Sequence, residues 1–134
     1  MSFGNTTEND ILELVFKATA LSWAAASNLT VHLHTGDPGE GGTSGTSACA
    51  YTSYAPVNVA RSGSGFTVTG NSVSNAALIQ FPQCTGSSET ATHFSVTPQG
   101  STQILIKGAL SSSLAISSGI QPQFAAGALS ATLD

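Results

Sequence analysis

The feature of this sequence that most constrains its fold is a change in the period of its apolar residues after Trp23. Before that point, Ile11, Leu14 and Val15 follow the three- and four-residue spacing of one helix face. Beyond it, apolar residues occupy every second position of residues 29–34, which is the period of a half-buried strand. The sequence therefore predicts one helix at the N-terminus, followed by β-structure.

Further strand-like segments follow at short intervals, and Ser-Gly, Thr-Gly and Gln-Gly turn signals separate several of them. They are residues 54–60, 65–69, 73–77, 78–81, 92–97, 103–110, 114–117 and a piece near 129–133. A single helix excludes alternating βαβ units. We therefore expect a mainly β fold, an antiparallel β-sandwich or Greek-key barrel with one short N-terminal helix. It forms a single domain over residues 1–134, with an arm and helix in 1–20 and a β-domain in 21–134.

The predicted helix covers residues 6–18, with Asn5 as its cap and Glu8 at the spacing of a capping box. Its apolar stripe is wide, so we expect it to pack on a sheet or on a neighbouring subunit. The candidate contacts are Ile11, Leu14 and Val15.

The arm before the helix, residues 1–7, is polar apart from Met1 and Phe3, so it is not expected to anchor itself to a core. Chain termini are usually disordered unless they are tied down. We therefore expect the arm to order against a neighbouring subunit, with Phe3 as the apolar contact.

A Gly/Ser/Thr-rich segment at residues 36–48 contains no periodic pattern. Long segments of this kind often carry binding residues. We interpret it as a mobile or partner-docking loop, with Asp37, Pro38 and Glu40 as candidate subunit contacts.

Charged residues are scarce, at 7% of the chain, and the net charge is −4. The three basic residues, Lys17, Arg61 and Lys107, are scattered, whereas phosphate binding requires clusters of them. Nucleic acid is therefore not expected as a direct partner. A neutral, hydroxyl-rich surface instead favours close packing against other subunits.

The N-terminal sequence and the two cysteines indicate in which compartment the protein is made. No basic and apolar leader opens the chain, so no signal peptide is expected, and no apolar run reaches the length of a membrane span. Cys49 and Cys84 do not form a CxxC pair, and we expect reduced thiols during synthesis. A later Cys49–Cys84 disulfide remains open, because its geometry is not set by the sequence.

No combination of residues indicates catalysis. His32 and His34, with Asp37 and Glu40 nearby, contain zinc-binding groups, but one strand supplies only two ligands and nothing local fixes a third. Ser47 has no positioned histidine base, and phosphate-binding glycine motifs are missing. The aromatic residues could line a carbohydrate site, but we expect most of them in the core. We predict no enzyme activity, no metal and no cofactor.

Several segments together resemble a family of small virion structural proteins of tailed bacteriophages. In chain order they are residues 1–3 with the short helix, 33–40, 79–82, 92–94 and 124–134. Members of this family are capsid decoration (cement) proteins or tail-fibre-like proteins. The resemblance implies a structural protein made in the host cytoplasm and carried on the virion.

Two roles follow from this resemblance. The first, which the low-charge surface favours, is a capsid decoration protein that binds the major capsid protein as a homotrimer and stabilises the icosahedral shell from outside. The alternative is a tail or tail-fibre component, or a module that binds the host surface.

Overall fold

Ten strands and one helix make up the chain in the computed structural model, which describes residues 1–134. In chain order they are β1 (Ser2–Phe3), α1 (Asn5–Lys17), β2 (Asn28–His34), β3 (Val57–Ala60), β4 (Phe66–Thr69), β5 (Ser72–Asn75), β6 (Ile79–Gln80), β7 (Glu89–Pro98), β8 (Ile106–Ile116), β9 (Gln123–Phe124) and β10 (Ser130–Thr132). The mainly β fold with one N-terminal helix is confirmed.

The largest layer is a five-stranded antiparallel sheet with the order β1-β8-β7-β2-β3. Its central strand β7 pairs with β2 over six residue pairs, from Leu29 opposite Pro98 to His34 opposite His93. The alternation in β2 places Val31 and Leu33 in the apolar core and directs Thr30, His32 and His34 to the opposite, polar face.

The second layer consists of two small antiparallel sheets, one of three strands in the order β10-β5-β4 and one of β6 with β9. The core joins these layers: Val31, Leu33 and Phe94 of the large sheet cluster with Ile79 of β6 and with Leu129 beside β10. The arrangement is a sandwich in which the five-stranded sheet packs against a narrower second layer, and that layer is divided into two small sheets.

Strand β8 is longer than the sequence pattern predicts. Residues 103–110 and 114–117 read as two strands, but Ile106–Ile116 is one strand with an irregular register opposite Ala91–His93 of β7. Residues 110–113 of β8 stand opposite Thr92 alone, so the strand bulges there. This bulge explains why the alternation in the sequence breaks while the strand continues.

The helix begins one residue earlier than expected, and the predicted Asn5 cap is wrong. Gly4 holds the cap position, and no side chain caps the helix. The Asn5 N–H donates to the Glu40 carbonyl at 2.9 Å instead. A side chain at Gly4 would collide with the Ile104 carbonyl oxygen, so the close approach of the arm to the sheet requires glycine here.

The N-terminal arm is tied to its own sheet, which corrects the expectation that it cannot anchor itself. Ser2 and Phe3 form strand β1 and pair with Lys107 and Ile106 at the edge of β8. The Thr7 hydroxyl, which is buried, then donates to the Ile104 carbonyl at 2.8 Å. Backbone pairing thus supplies the anchor that the polar side chains of the arm do not.

Asn75 at the end of β5 connects the small sheets. Its side chain is buried, its amide donates to the carbonyls of Ala77 at 2.8 Å and Ala125 at 2.9 Å, and its carbonyl accepts the Leu129 N–H at 2.9 Å. One side chain therefore satisfies backbone groups from three separate segments of the second layer.

We expect Asn75→Ala to lower the free energy of unfolding by about 3 kcal/mol or more, because each buried backbone group left unpaired costs about 1–3 kcal/mol. Urea unfolding monitored by circular dichroism measures this loss. Asn71→Ala is the matched control, since the exposed Asn71 amide donates to one carbonyl, that of Leu133. A similar loss in both variants would contradict the role assigned to Asn75.

Candidate interaction surface

An open apolar groove of about 590 Å³ lies between the five-stranded sheet and the three-stranded sheet. The wide sheet contributes Leu29, Val96 and Ile106, and the small sheet contributes Phe66 and Val68. Val68 on the edge strand β4 is 72% exposed. The groove exists because three short strands do not cover the whole apolar face of five strands.

The rim of this groove is built on Trp23 and Arg61. The Arg61 guanidinium stands 5.1 Å from the centre of the Trp23 ring and donates to the carbonyls of Trp23, Ala24 and Ala26, the Ala24 bond being 2.8 Å. The Trp23 indole N–H donates to Asp10 of α1 at 3.2 Å. The only charged residue lining the groove is therefore already engaged within the chain.

Helix α1 continues the apolar surface beyond the groove. Thr7 and Ile11, in its N-terminal half, line the groove. Its C-terminal half exposes four large apolar side chains, which we call the helix stripe: Leu12 at 57%, Leu14 at 42%, Val15 at 66% and Phe16 at 79%. Two of the predicted contacts, Leu14 and Val15, thus lie on a solvent-facing surface of the single chain.

Phe3 and Ile11, two further predicted contacts, both line the groove and are half-buried. Phe3 lies there because β1 pairs with β8, and Ile11 because the helix starts directly after β1. The structure therefore places Phe3 and Ile11 together in the groove. Leu14 and Val15 lie on the exposed surface of α1 that adjoins the groove.

The loop at residues 36–48 lies elsewhere, and backbone pairing ties both of its ends to the rest of the chain. Thr43 bridges to Gln103, and His34 bridges to Ala48. Asp37 is exposed and forms an ion pair with Lys107 at 2.9 Å, whereas Pro38 is buried. The Glu40 side chain is exposed, and its backbone carbonyl accepts the N–H of Asn5, the first residue of α1. Asp37 and Glu40 remain available at the surface, but Pro38 does not.

The Asp37 carboxylate is stabilised locally. The backbone N–H of Gly39 donates to it at 2.9 Å and the Lys107 ammonium lies beside it, and both lower the pKa of Asp37 below its usual value. The loop is thus fixed by its own hydrogen bonds and one ion pair.

The histidines do not form a metal site with the loop carboxylates. His34 is fully buried: its Nδ1–H donates to the Thr46 carbonyl at 2.8 Å, which leaves Nε2 to accept the Ser95 hydroxyl at 2.7 Å. His32 Nε2 pairs with the Thr97 hydroxyl at 2.9 Å. The structure contains no cluster of three or more His, Cys, Asp or Glu side chains with metal-binding geometry.

Most aromatic rings lie in the core rather than in a carbohydrate-binding row. Tyr51 and Phe81 are buried, and Tyr54, Phe94 and Phe124 extend the same cluster. Both cysteines are buried in this core and are free thiols. Burial, together with the nearby Glu89 carboxylate, raises the pKa of Cys49 to about 12, so it remains a neutral thiol.

A comparison with sequence profiles of protein families matches residues 2–132 to the family described as podophage GP4 fiber I protein gp80. The chain belongs to this family. The match covers both the groove and the helix stripe, and it identifies the chain as a phage virion structural protein.

A search of curated proteins finds no match for the chain. No helix in the structure combines the length and the apolar character needed to cross a bilayer.

Several residues of this surface were not among the predicted contacts. Trp23, Phe66, Val68 and Val73 line the groove beside the predicted Phe3 and Ile11. The sequence carried one signal: the strands predicted at residues 65–69 and 73–77 are short, and short strands cover little area. Exposed Leu12 and Phe16 stand beside the predicted contacts on the same helix.

The buried histidines predict a loss of stability in mild acid. Burial, with a smaller contribution from His34, lowers the pKa of His32 to about 4, and burial also lowers the pKa of His34. Between the unfolded pKa of about 6.5 and the folded pKa, the unfolded chain binds more protons, so stability falls as pH decreases through that window.

We expect the free energy of unfolding to be nearly constant between about pH 7 and pH 8 and to fall by roughly 2 kcal/mol between pH 6.5 and pH 4, a value reduced for the partial exposure of His32. In His32→Gln, which keeps a partner for Thr97 but does not titrate, the fall should be shallower. Urea unfolding at pH 7, 5.5 and 4 measures both, and equal slopes in the two proteins would argue against this assignment.

Proposed function

We propose that the protein is a fibre-type structural component of a tailed-phage virion that assembles through its own apolar surface, as a homotrimer. The observation that carries this proposal is the groove with its adjoining helix stripe, which a single chain leaves open to water. The description of the family as a fibre protein supports the fibre role.

The composition of the apolar surface supports a role in assembly. Here a groove with 13 hydrophobic lining residues adjoins four exposed apolar side chains on α1. A chain that kept such a surface exposed would be prone to non-specific association, so burying it in a defined assembly is favourable.

The charge distribution also supports packing among subunits. Only 7% of the residues are charged, and Arg61, Asp10 and the Lys107–Asp37 pair already have partners within the chain. Burying this surface therefore removes few ions from water, and the desolvation cost that weakens charged interfaces is small.

The capsid decoration role remains a prediction, with the major capsid protein as its partner. In that role, the groove and the helix stripe would contact the capsid shell. Binding that favours the assembled shell alone would stabilise it by mass action. The two roles therefore predict different defects in particles that lack the protein.

Particles that lack this protein are expected to adsorb poorly to host cells while retaining normal capsid stability. Adsorption is measured by loss of free phage from the supernatant, and capsid stability by the temperature of DNA release. Complementation with the wild-type chain should restore adsorption. Normal adsorption together with DNA release at a lower temperature would overturn the fibre role and favour capsid decoration.

A further inference from the structure

We propose that strand β8 forms a two-fold contact between copies of this chain: residues 109–115 of one copy pair antiparallel with the same residues of a second copy, with Ser112 on the symmetry axis. The two five-stranded sheets then continue into one another across the contact. The contact shares no residue with the groove or the helix stripe. It is therefore separate from the homotrimer of the proposed function, and it joins one homotrimer to the next.

The first argument is the free edge of β8. On one side β8 pairs with β7, whereas on the other side β1 pairs only with Ile106 and Lys107. The strand continues to Ile116, and no strand lies beside residues 109–115 on this outer side. A free edge of this kind presents a row of unpaired backbone N–H and C=O groups that a strand of another chain can pair with.

The other sheet edges of the molecule are short or protected. Strands β3 and β4 are four residues long and β10 is three, and Pro56 and Arg61 flank β3. Short length, proline and charge are devices that keep an edge from pairing with another chain. Residues 108–116 of β8 contain neither a proline nor a charged residue. The edge of β8 is thus the one on which these three devices are missing.

The bulge opposite Thr92 does not interrupt the strand. Residues 110–113 have no partner in β7, so they lack a neighbouring strand on both sides. The alternation of side chains nevertheless continues through them: Leu110 and Leu114 are half-buried and pack against the core, whereas residues 109, 111, 113 and 115 are exposed. An extended strand places every second residue on one face, so Leu110, Ser112 and Leu114 share a face.

The second argument identifies the partner strand. Residues 109–115 read Ala-Leu-Ser-Ser-Ser-Leu-Ala, the same in both directions. In an antiparallel pair centred on Ser112, each residue meets its own type: Leu110 faces Leu114 of the other copy, and Ser111 faces Ser113. Hydroxyl pairs across strands form hydrogen bonds, and the leucine pairs bury side chains that a single chain leaves half-exposed. A two-fold contact requires a self-complementary surface, and this segment is one.

The contact is small and neutral. Seven residues on each side are fewer than the roughly 20–30 of a standard interface, so free chains are expected to associate only weakly through it. Copies held together in one particle pair more strongly, because linked contacts act through their effective concentration. No like charges oppose the pairing, since Lys107 lies outside the paired segment and forms an ion pair with Asp37.

Disulfide trapping of the full chain tests this register. Ser112→Cys places two thiols opposite each other, and opposite residues of an antiparallel pair have Cα atoms about 4.5–5.5 Å apart, which a disulfide spans. Under mild oxidation with diamide, Ser112→Cys should form linked dimers at least about tenfold faster than Thr67→Cys, because the contact raises the effective concentration of its thiols. Thr67 is the matched control, an exposed position on edge strand β4. The wild-type chain should form none, since Cys49 and Cys84 are buried.

Staggered variants test the two-fold symmetry. Ser111 faces Ser113 of the other copy, whereas it lies diagonally from the other Ser111, about 7–8 Å away and beyond the reach of a disulfide. Ser111→Cys and Ser113→Cys should therefore form dimers slowly alone and rapidly when mixed.

A mixture no faster than its two components would overturn the proposal. Equal rates for Ser112→Cys and Thr67→Cys would also overturn it, and would indicate that the bulge keeps this edge free of other chains. Both readouts use purified protein, so they are independent of the adsorption defect that tests the fibre role.

Discussion

The structure depends on a mismatch of area between its two layers. The five-stranded sheet presents an apolar face from Phe3 to Val59, but its cover consists of short strands in two separate sheets. Apolar surface left in water carries a free-energy cost proportional to its area. The uncovered part of the wide sheet becomes the groove, and α1 extends the same apolar surface outward.

Elsewhere in the chain, buried polar groups are hydrogen-bonded to uncharged partners. Hydroxyl, amide and imidazole groups satisfy one another on the polar face of the large sheet, as in the bonds of His34 to Thr46 and Ser95 and of Thr30 to Asn58. No buried side-chain nitrogen or oxygen lacks a partner. A protein with few charged residues can therefore keep a specific fold, because its buried polar groups are paired by hydrogen bonds.

The sequence predicts the parts of the fold that follow a period. The helix and strand β2 are read correctly because their apolar residues repeat regularly over several positions. Strands β1 and β9 are missed, because two residues carry no period and their pairing depends on distant partners, Ile106 for Phe3 and Ile79 for Phe124. The ordering of residues 36–48 is missed for the same reason: bonds to Gln103 and Lys107 hold it.

The candidate surface is predicted in part. Leu14 and Val15 are recognised because an apolar stripe on a short terminal helix needs a partner. The groove is not, because Leu29 and Val68 are 39 residues apart and the sequence does not show that the second layer is too narrow to cover them. A pattern identifies which face of an element is apolar, whereas the areas of facing layers decide whether that face is covered.

The most direct test of this account is a cryo-electron microscopy reconstruction of the intact virion at a resolution that traces this domain. The account predicts the domain in a tail fibre, with its groove closed to solvent by a neighbouring subunit. The domain on the capsid shell, or in a fibre with its groove open to water, would contradict it.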